Sequence, residues 1–320
     1  MNINKLIIAT TENLDPYRNL AYEEYLFDTL PESAFILYLW RNDNTVVVGL
    51  NQNPQRECNI PALIGGGGKL ARRKTGGGAV YHDKHNLNFT FIGNKSIYDV
   101  KNQLDIIRSA LYTLGIESVP SGRNDIVTLD GRKFSGNAFL SRGDKCLHHG
   151  TILIDTDYSK IAEYLTVHEV KLQAKGVKSV VSRVVNLKTL QPDLTVDKVK
   201  NAVIEAAKMH FRGADVEYID DMSADKDRLQ ALYLEYSSEA HLYGATPNLS
   251  GSLVKRFEWG TANACFSTKK GIINEIKIYT DSLDTSIAGE VERILTNANM
   301  EAQFDYQPAN DILELIKNGG

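Results

Sequence analysis

Residues 125–139, DIVTLDGRKFSGNAF, set strand-forming residues on either side of a single Asp130-Gly131 pair. Asp-Gly accepts the positive φ angles of a two-residue type I′ turn, so the stretch predicts a β-hairpin. Its return strand would carry Lys133 and Ser135 on one face. Upstream, LNFTFI (87–92) alternates Leu87, Phe89 and Phe91 with Asn88 and Thr90, the period of a half-buried strand. AFILYLW (34–40) and TVVVG (45–49) read as two further strands joined by a polar turn, and TILI (151–154) as another.

Helical signals lie among these strands. Asp15 followed by Pro16 is an N-cap and first-turn pair leading into Leu20, Leu26, Phe27 and Leu30, with Pro31 as a stop. Val100, Leu104, Ile107, Leu111 and Leu114 share a helical face, and shorter patterns cover 158–165 and 195–211. Strands and helices mix without strict alternation. The expected class is therefore α/β (α+β) with a mixed sheet, not a doubly wound parallel sheet. HLYGATPNLSGS (241–252) reads as a linker, followed by three strand-like runs and a helix over 285–297. Two domains are expected, a larger one over 1–250 and a small α+β unit over 251–320.

The 320 residues carry 36 Lys and Arg against 40 Asp and Glu, a net charge of -4. That balance disfavours general binding to nucleic acid, which rewards a basic surface. The amino terminus lacks the long apolar core of a signal peptide and no segment reaches transmembrane length, so no membrane partner is expected and the cytoplasm is the expected compartment. Cys58, Cys146 and Cys265 are dispersed, without the short spacings of a zinc site, and read as free thiols.

The chemistry concentrates in GGGGKLARRKTGGGAVYHD (65–83), where two glycine clusters flank Lys69, Arg72, Arg73 and Lys74, and no acidic residue lies between Glu57 and Asp83. Glycines let backbone amides approach a ligand closely while the cations compensate its charge. An anion-binding loop and a solvated surface loop both satisfy that composition. The spacing matches neither a P-loop nor a dinucleotide fingerprint. His148 and His149 are adjacent in a strand, so they point to opposite faces and make poor joint metal ligands.

RRKTGGGAVYHD (72–83), GRNDI (122–126), GRKFSGNAF (131–139), HHGTILI (148–154) and KGVKSVVSRVVNL (175–187) occur in the order in which the lipoate-protein ligase family carries them. Over about Lys69 to Leu187 the chain resembles that family's catalytic domain. The resemblance implies a biotin/lipoate-ligase-type fold with a small carboxy-terminal accessory domain. It also implies a two-step reaction in which ATP, with Mg2+, activates lipoate as lipoyl-AMP. The acyl group then passes to a lysine of an acceptor lipoyl domain or glycine cleavage H protein.

By the same resemblance Lys133 is the catalytic side chain, touching both nucleotide and acyl group, and Arg73 with Gly78, Ala79, Val80 and Tyr81 contacts ATP. Arg72, Gly77, His82 and His149 join Lys133 in lining the lipoate region, Val167 to Val181 is a closing loop, and the metal ligands are unassigned. Two positions depart from the family's pattern: His85, where glycine is common, and Val181, where a basic residue is common. Two alternatives remain: a cysteine-dependent lipoyl or octanoyl transferase of the same fold, for which Cys146 would be the nucleophile, and a non-catalytic lipoate-binding protein. The adenylate loop associated with biotin ligases is absent.

Overall fold

The computed structural model describes residues 3–122, 124–166, 184–244 and 249–319. The expected closing loop and the Val181 departure lie outside the described residues. The backbone builds β1 (Lys5–Thr10), β2 (Ala34–Trp40), β3 (Thr45–Val48), β4 (Lys69–Arg72), β5 (Val80–His82), β6 (Asn86–Asn94), β7 (Ser118–Ser121), β8 (Asp125–Thr128), β9 (Lys133–Arg142), β10 (Lys145–Leu153) and β11 (Asp215–Asp220). Eight of these form one sheet in the order β11-β1-β2-β6-β10-β9-β8-β7, while β4-β3-β5 form a small second sheet. β1 runs parallel to β2 and β11, and β2, β6, β10 and β9 are successively antiparallel. The mixed sheet follows from the irregular order of strand and helix along the chain.

Helices Val100–Thr113 and Val196–His210 cover one face of the large sheet, burying Ile107, Leu111, Val199 and Val203 against Phe35, Phe89, Phe91 and Phe134. Each large side chain buried there contributes about 1.5–3 kcal/mol. Helix Pro16–Asp28 packs on the other face beside Lys226–Ser237. Asp15 caps the first of these, its Oδ1 accepting from the backbone N–H of Tyr17 and Arg18 at 2.8 and 3.3 Å, an interaction worth about 1 kcal/mol.

Beyond residue 250, β12 (Gly251–Phe257), β13 (Gly260–Lys269) and β14 (Ile272–Thr280) make an antiparallel sheet. Helices Ser286–Leu295 and Gln307–Gly319 pack on it around a core of their own. No helix among the described residues is long and apolar enough to cross a membrane.

Three local expectations change. β6 is buried on both faces, Asn88 and Thr90 included, because the small sheet and helix Pro16–Asp28 cover the face that alternation alone would leave to solvent. The 125–139 hairpin forms, but only Gly131 takes a positive φ, +83°, while Asp130 does not. Its turn is therefore not type I′. A bulge between Ile126 and Val127 also shifts the register, so Lys133 opposes Val127 and Ser135 opposes Ile126. The extra residue separates the two: Ser135 is fully buried and bonded by Asn137, whereas Lys133 is half-exposed at the cavity described below.

His148 shows what the interior imposes. It is fully buried against the rings of Phe89, Phe91 and Phe139, and burial, with His149 nearby, pushes its pKa down to about 3. Asn137 bonds the Asn124 carbonyl through its amide nitrogen, so its Oδ1 accepts from His148 Nε2 at 2.8 Å. His148 Nδ1 lies 2.8 Å from Gln103 Oε1 while Gln103 Nε2 has no partner among the described residues, so turning that amide end for end lets its N–H donate to Nδ1 of a neutral ring.

A histidine held neutral binds fewer protons folded than unfolded between about pH 6.5 and 3, so its stabilisation is present above pH 6.5 and lost as pH falls. Urea denaturation followed from pH 7 to pH 5 should therefore show stability declining by up to ~1.4 kcal/mol per pH unit per such histidine. A flat profile over that window would show that His148 is not buried as a neutral ring.

Candidate active site

A cavity enclosing about 630 Å³ of non-protein space, partly open to solvent, lies where the large and small sheets face each other. Trp40 of β2 stands opposite Asn88 of β6, and Asn88 and Thr90 stand opposite Thr151 and His149 of β10. Directly opposed residues share a sheet face, so these five make one surface. Val47, Ala79 and Val80 from the small-sheet side, Leu20 from helix Pro16–Asp28, and Lys133, Gly136 and Ala138 of β9 complete most of the lining. Arg73, Gly77 and Gly78 enter from the glycine-rich segment.

Arg73 is buried, yet its guanidinium is spent on the backbone that surrounds it. Nη2 donates to the carbonyls of Gly76 and Gly78 at 2.7 and 2.8 Å, Nη1 to Val47 at 3.2 Å, and Nε to Thr75 Oγ1 at 3.0 Å. Burial lowers its pKa to about 10, with the Glu23 carboxylate opposing the shift, so the charge persists at neutral pH. From Thr75 the network continues to His149 Nε2 at 2.8 Å, then from His149 Nδ1 to Glu23 Oε1 at 2.9 Å. Glu23 also accepts from Thr90 Oγ1 at 2.6 Å, which in turn accepts from Trp40 Nε1 at 3.0 Å. One donor–acceptor chain thus ties the glycine loop to three strands and a helix.

Of the residues the resemblance implied for ATP and lipoate, Arg73, Gly77, Gly78, Ala79, Val80, His82, Lys133 and His149 line this cavity. Arg72 does not. Its N–H groups donate to the carbonyls of Gly49, Leu50, Gln52, His241 and Leu242, so it clamps neighbouring loops together. Adjacent arginines at a strand end face opposite ways. The Tyr81 side chain is likewise turned away, packing on Tyr164 and donating to Asn44 Oδ1 at 3.1 Å. Lys133 Nζ pairs with Asp125 Oδ1 at 2.7 Å.

His85 is exposed on a turn with an ordinary φ, so the glycine usual there has no conformational necessity in this chain. None of the three cysteines lines the cavity, and burial raises the Cys58 thiol to about 11. The geometry thus places no thiol at this cavity for a thioester route.

Glu23, Thr75, Trp40 and Asn88 belong to the site without having been singled out by sequence. The carboxy-terminal unit also reaches it: Gly77 N–H donates to the Ser282 carbonyl at 2.9 Å, Thr280 N–H to the Asn51 carbonyl at 2.9 Å, and Asn51 Nδ2 to the Thr285 carbonyl at 2.9 Å. A Cβ on Gly76 would collide with the Ser282 carbonyl oxygen.

The buried Arg73 and the half-exposed Lys133 stand on one cavity, an arrangement suited to the class of enzymes that activate and transfer carboxylic acids. Residues 15–208 match the lipoyl protein ligase A/B catalytic domain, and residues 246–312 match the bacterial lipoate protein ligase C-terminus. The chain belongs to the lipoate-protein ligase family. It is 37% identical to lipoate-protein ligase A of Psychrobacter cryohalolentis over 313 residues, 94% of this chain and 92% of that protein. Among solved structures, P. falciparum LipL1 in complex with lipoate superposes with a TM-score of 0.80 at 26% identity, covering 98% of both chains. A lipoate-protein ligase A bound with ATP superposes with a TM-score of 0.61 at 26% identity, over 76% of this chain and 99% of that one.

The Gly76 contact makes the dependence of the loop on the carboxy-terminal unit measurable. Gly76→Ala should slow acid activation by about tenfold or more, since overpacking against backbone forces the loop aside. Gly65→Ala, where an added Cβ meets nothing within 4 Å, should leave the rate unchanged. Equal rates for Gly76→Ala and the unmodified chain, read by pyrophosphate release, would show that the loop does not need this contact.

Proposed function

We propose that this cavity performs both half-reactions of lipoate ligation. The lipoate carboxylate attacks the α-phosphorus of ATP and pyrophosphate leaves. The amine of an acceptor lysine then attacks the acyl carbonyl, AMP leaves and the amine loses its proton. The observation that carries the reading is the placement of Lys133 and Arg73 on one cavity whose remaining wall is mainly apolar. Attack of one anion on another requires positive charge already in position. Arg73 is fixed by the loop it holds, whereas Lys133 has only a half-exposed Asp125 to leave, so its ammonium is the group free to follow the developing charge. The nucleotide phosphates would meet the Gly78–Tyr81 backbone, and Gly77, His82, His149 and Lys133 would line the acyl end.

Mg2+ fits this site as a companion of the triphosphate. No group of three or more His, Cys, Asp or Glu able to hold a metal exists among the described residues, and Mg2+ commonly keeps several waters and takes phosphate oxygens with one or two carboxylates. Asp125 is the nearby carboxylate of that type. The metal would neutralise phosphate charge during transfer. The acceptor would be a lipoyl domain or H protein, met in the cytoplasm.

Lys133→Leu should cut pyrophosphate release by about two decades or more, because it removes the charge and every donor while keeping an apolar stem. Lys133→Arg should not fully restore it, a planar fork being a poor replacement for a compact ammonium. The acceptor's mass, measured after incubation with ATP, Mg2+ and lipoate, reports the complete reaction; near-normal modification by both folded variants would refute the assignment.

The units 1–250 and 251–320 divide this labour in our reading, the second supporting activation through its hold on Asn51 and Gly77. Ending the chain at 250 should slow formation of lipoyl-AMP while leaving transfer from supplied lipoyl-AMP largely intact. Equal loss of both steps in a folded truncation would contradict that division.

A further inference from the structure

Residues 49–52 form a loop after β3 that lies between the glycine-rich segment and the carboxy-terminal unit. On the cavity side, Leu50 N–H donates to the Thr75 carbonyl at 2.9 Å, and Thr75 is the residue that joins Arg73 to His149. On the other side, the Asn51 carbonyl accepts from Thr280 N–H and Asn51 Nδ2 donates to the Thr285 carbonyl, each at 2.9 Å. Four residues thus touch both the network beneath the cavity and the unit beyond residue 250.

Arg72 gives the loop its shape. Its Nη1 lies 3.1, 2.8 and 2.8 Å from the carbonyl oxygens of Gly49, Leu50 and Gln52. With those three turned toward the guanidinium, the Asn51 carbonyl is the one of the four left to face Thr280. The other edge of the guanidinium caps helix Glu239–Tyr243: Nε and Nη2 donate to the Leu242 carbonyl at 3.1 and 2.7 Å, and Nε to that of His241 at 2.9 Å. A cation there answers carbonyls that the end of a helix leaves unbonded. His241 Nε2–H returns a bond to the Arg72 carbonyl at 3.0 Å. Burial lowers the Arg72 pKa to about 10, so the ion stays charged at neutral pH and these carbonyls replace its water.

Apolar packing does little to hold the loop against the carboxy-terminal unit. Non-protein spaces of about 350 and 1310 Å³, partly open to solvent, flank this contact, and both are lined by Gln52 and Tyr279. The hydrogen bonds of Asn51 therefore carry the connection, and their geometry depends on the shape of the loop.

We propose that Arg72 is a positioning residue for acid activation: its carbonyl cage holds residues 49–52 in the shape through which Asn51 engages the carboxy-terminal unit and Leu50 braces Thr75 under the cavity. This deepens the ligase reading and rests on it. Arg72 touches no reacting group and acts through the loop. Loosening the loop frees Thr75, and with it the side chains of Arg73 and His149. A shift of about 1 Å far from the chemistry can cost ~100-fold in rate. Activation, in which two anions must meet, depends on that placement more than transfer of an acyl group already activated. Lysine is a poor substitute, because a compact ammonium with three donors cannot span the two sets of carbonyls that the planar fork reaches.

The test uses the full chain and compares pyrophosphate release from lipoate, ATP and Mg2+ with acyl transfer from supplied lipoyl-AMP to a lipoyl domain. Arg72→Lys should slow release by about tenfold or more and transfer by less than about twofold. Asn51→Ala, which removes the bond to the Thr285 carbonyl, should slow release by about fivefold. In the double variant the losses should not multiply, and release should stay within about twofold of Arg72→Lys alone. A residue needed for folding alone would depress both half-reactions together. Unchanged release in Arg72→Lys, a matching fall in transfer, or multiplied losses in the double variant overturns the proposal while leaving the ligase reading standing. If Arg72→Lys does not fold, Asn51→Ala decides: slowed release with transfer spared upholds the path through the loop, and unchanged release overturns it. An unmodified chain that releases no pyrophosphate with lipoate would overturn the ligase reading, and this inference with it.

Discussion

A guanidinium enclosed between two sheets must find its hydrogen bonds in the protein or forfeit much of its hydration energy. Arg73 finds them in the carbonyls of Val47, Gly76 and Gly78. That requirement curls the glycine loop around the side chain, and the positive φ of Gly77, +89°, allows the curl. Gly49 has no Cβ for a similar reason: one would strike the Gly77 carbonyl oxygen. The same arginine anchors the chain through Thr75, His149, Glu23 and Thr90 to Trp40, so the loop, the cavity floor and helix Pro16–Asp28 are held as one polar assembly within an apolar interior. Fully connected networks of this kind fix a single arrangement.

The division between fixed and free charge follows. Arg73 is committed to the loop and supplies a constant field, while Lys133, on the edge of a bulged hairpin and paired with Asp125, remains available to a ligand. The bulge is what sends Lys133 to the cavity and Ser135 into the core. The turn after β14 adds a third constraint, Ser282 bonding Gly77 from outside the loop that Arg73 fills from within. A loop held from both sides would be preorganised for the phosphate oxygens of the proposed reaction.

Much of this was legible in sequence because it depends on local rules. The Asp15 cap, the hairpin over 125–139, the opposite faces taken by His148 and His149, and the cations among glycines each follow from a short window. The Arg72 and Arg73 pair was half legible: both are conspicuous, but only the face of the strand end decides which reaches the cavity. Glu23 was invisible because it sits beside Glu24 on a helix where carboxylates ordinarily face water, and only the strand laid against it supplies Thr90 and His149. Asn88 read as the exposed member of an alternating strand until the small sheet covered it. What sequence missed is therefore what non-local packing creates.

In the proposed reaction one cavity joins an acid to a nucleotide and keeps the product. Native mass spectrometry of the protein incubated with ATP, Mg2+ and lipoate, without an acceptor, tests it most directly. The account predicts a retained species with the mass of lipoyl-AMP, together with released pyrophosphate. Lipoate bound without ATP consumption would instead mark a binding protein and contradict it.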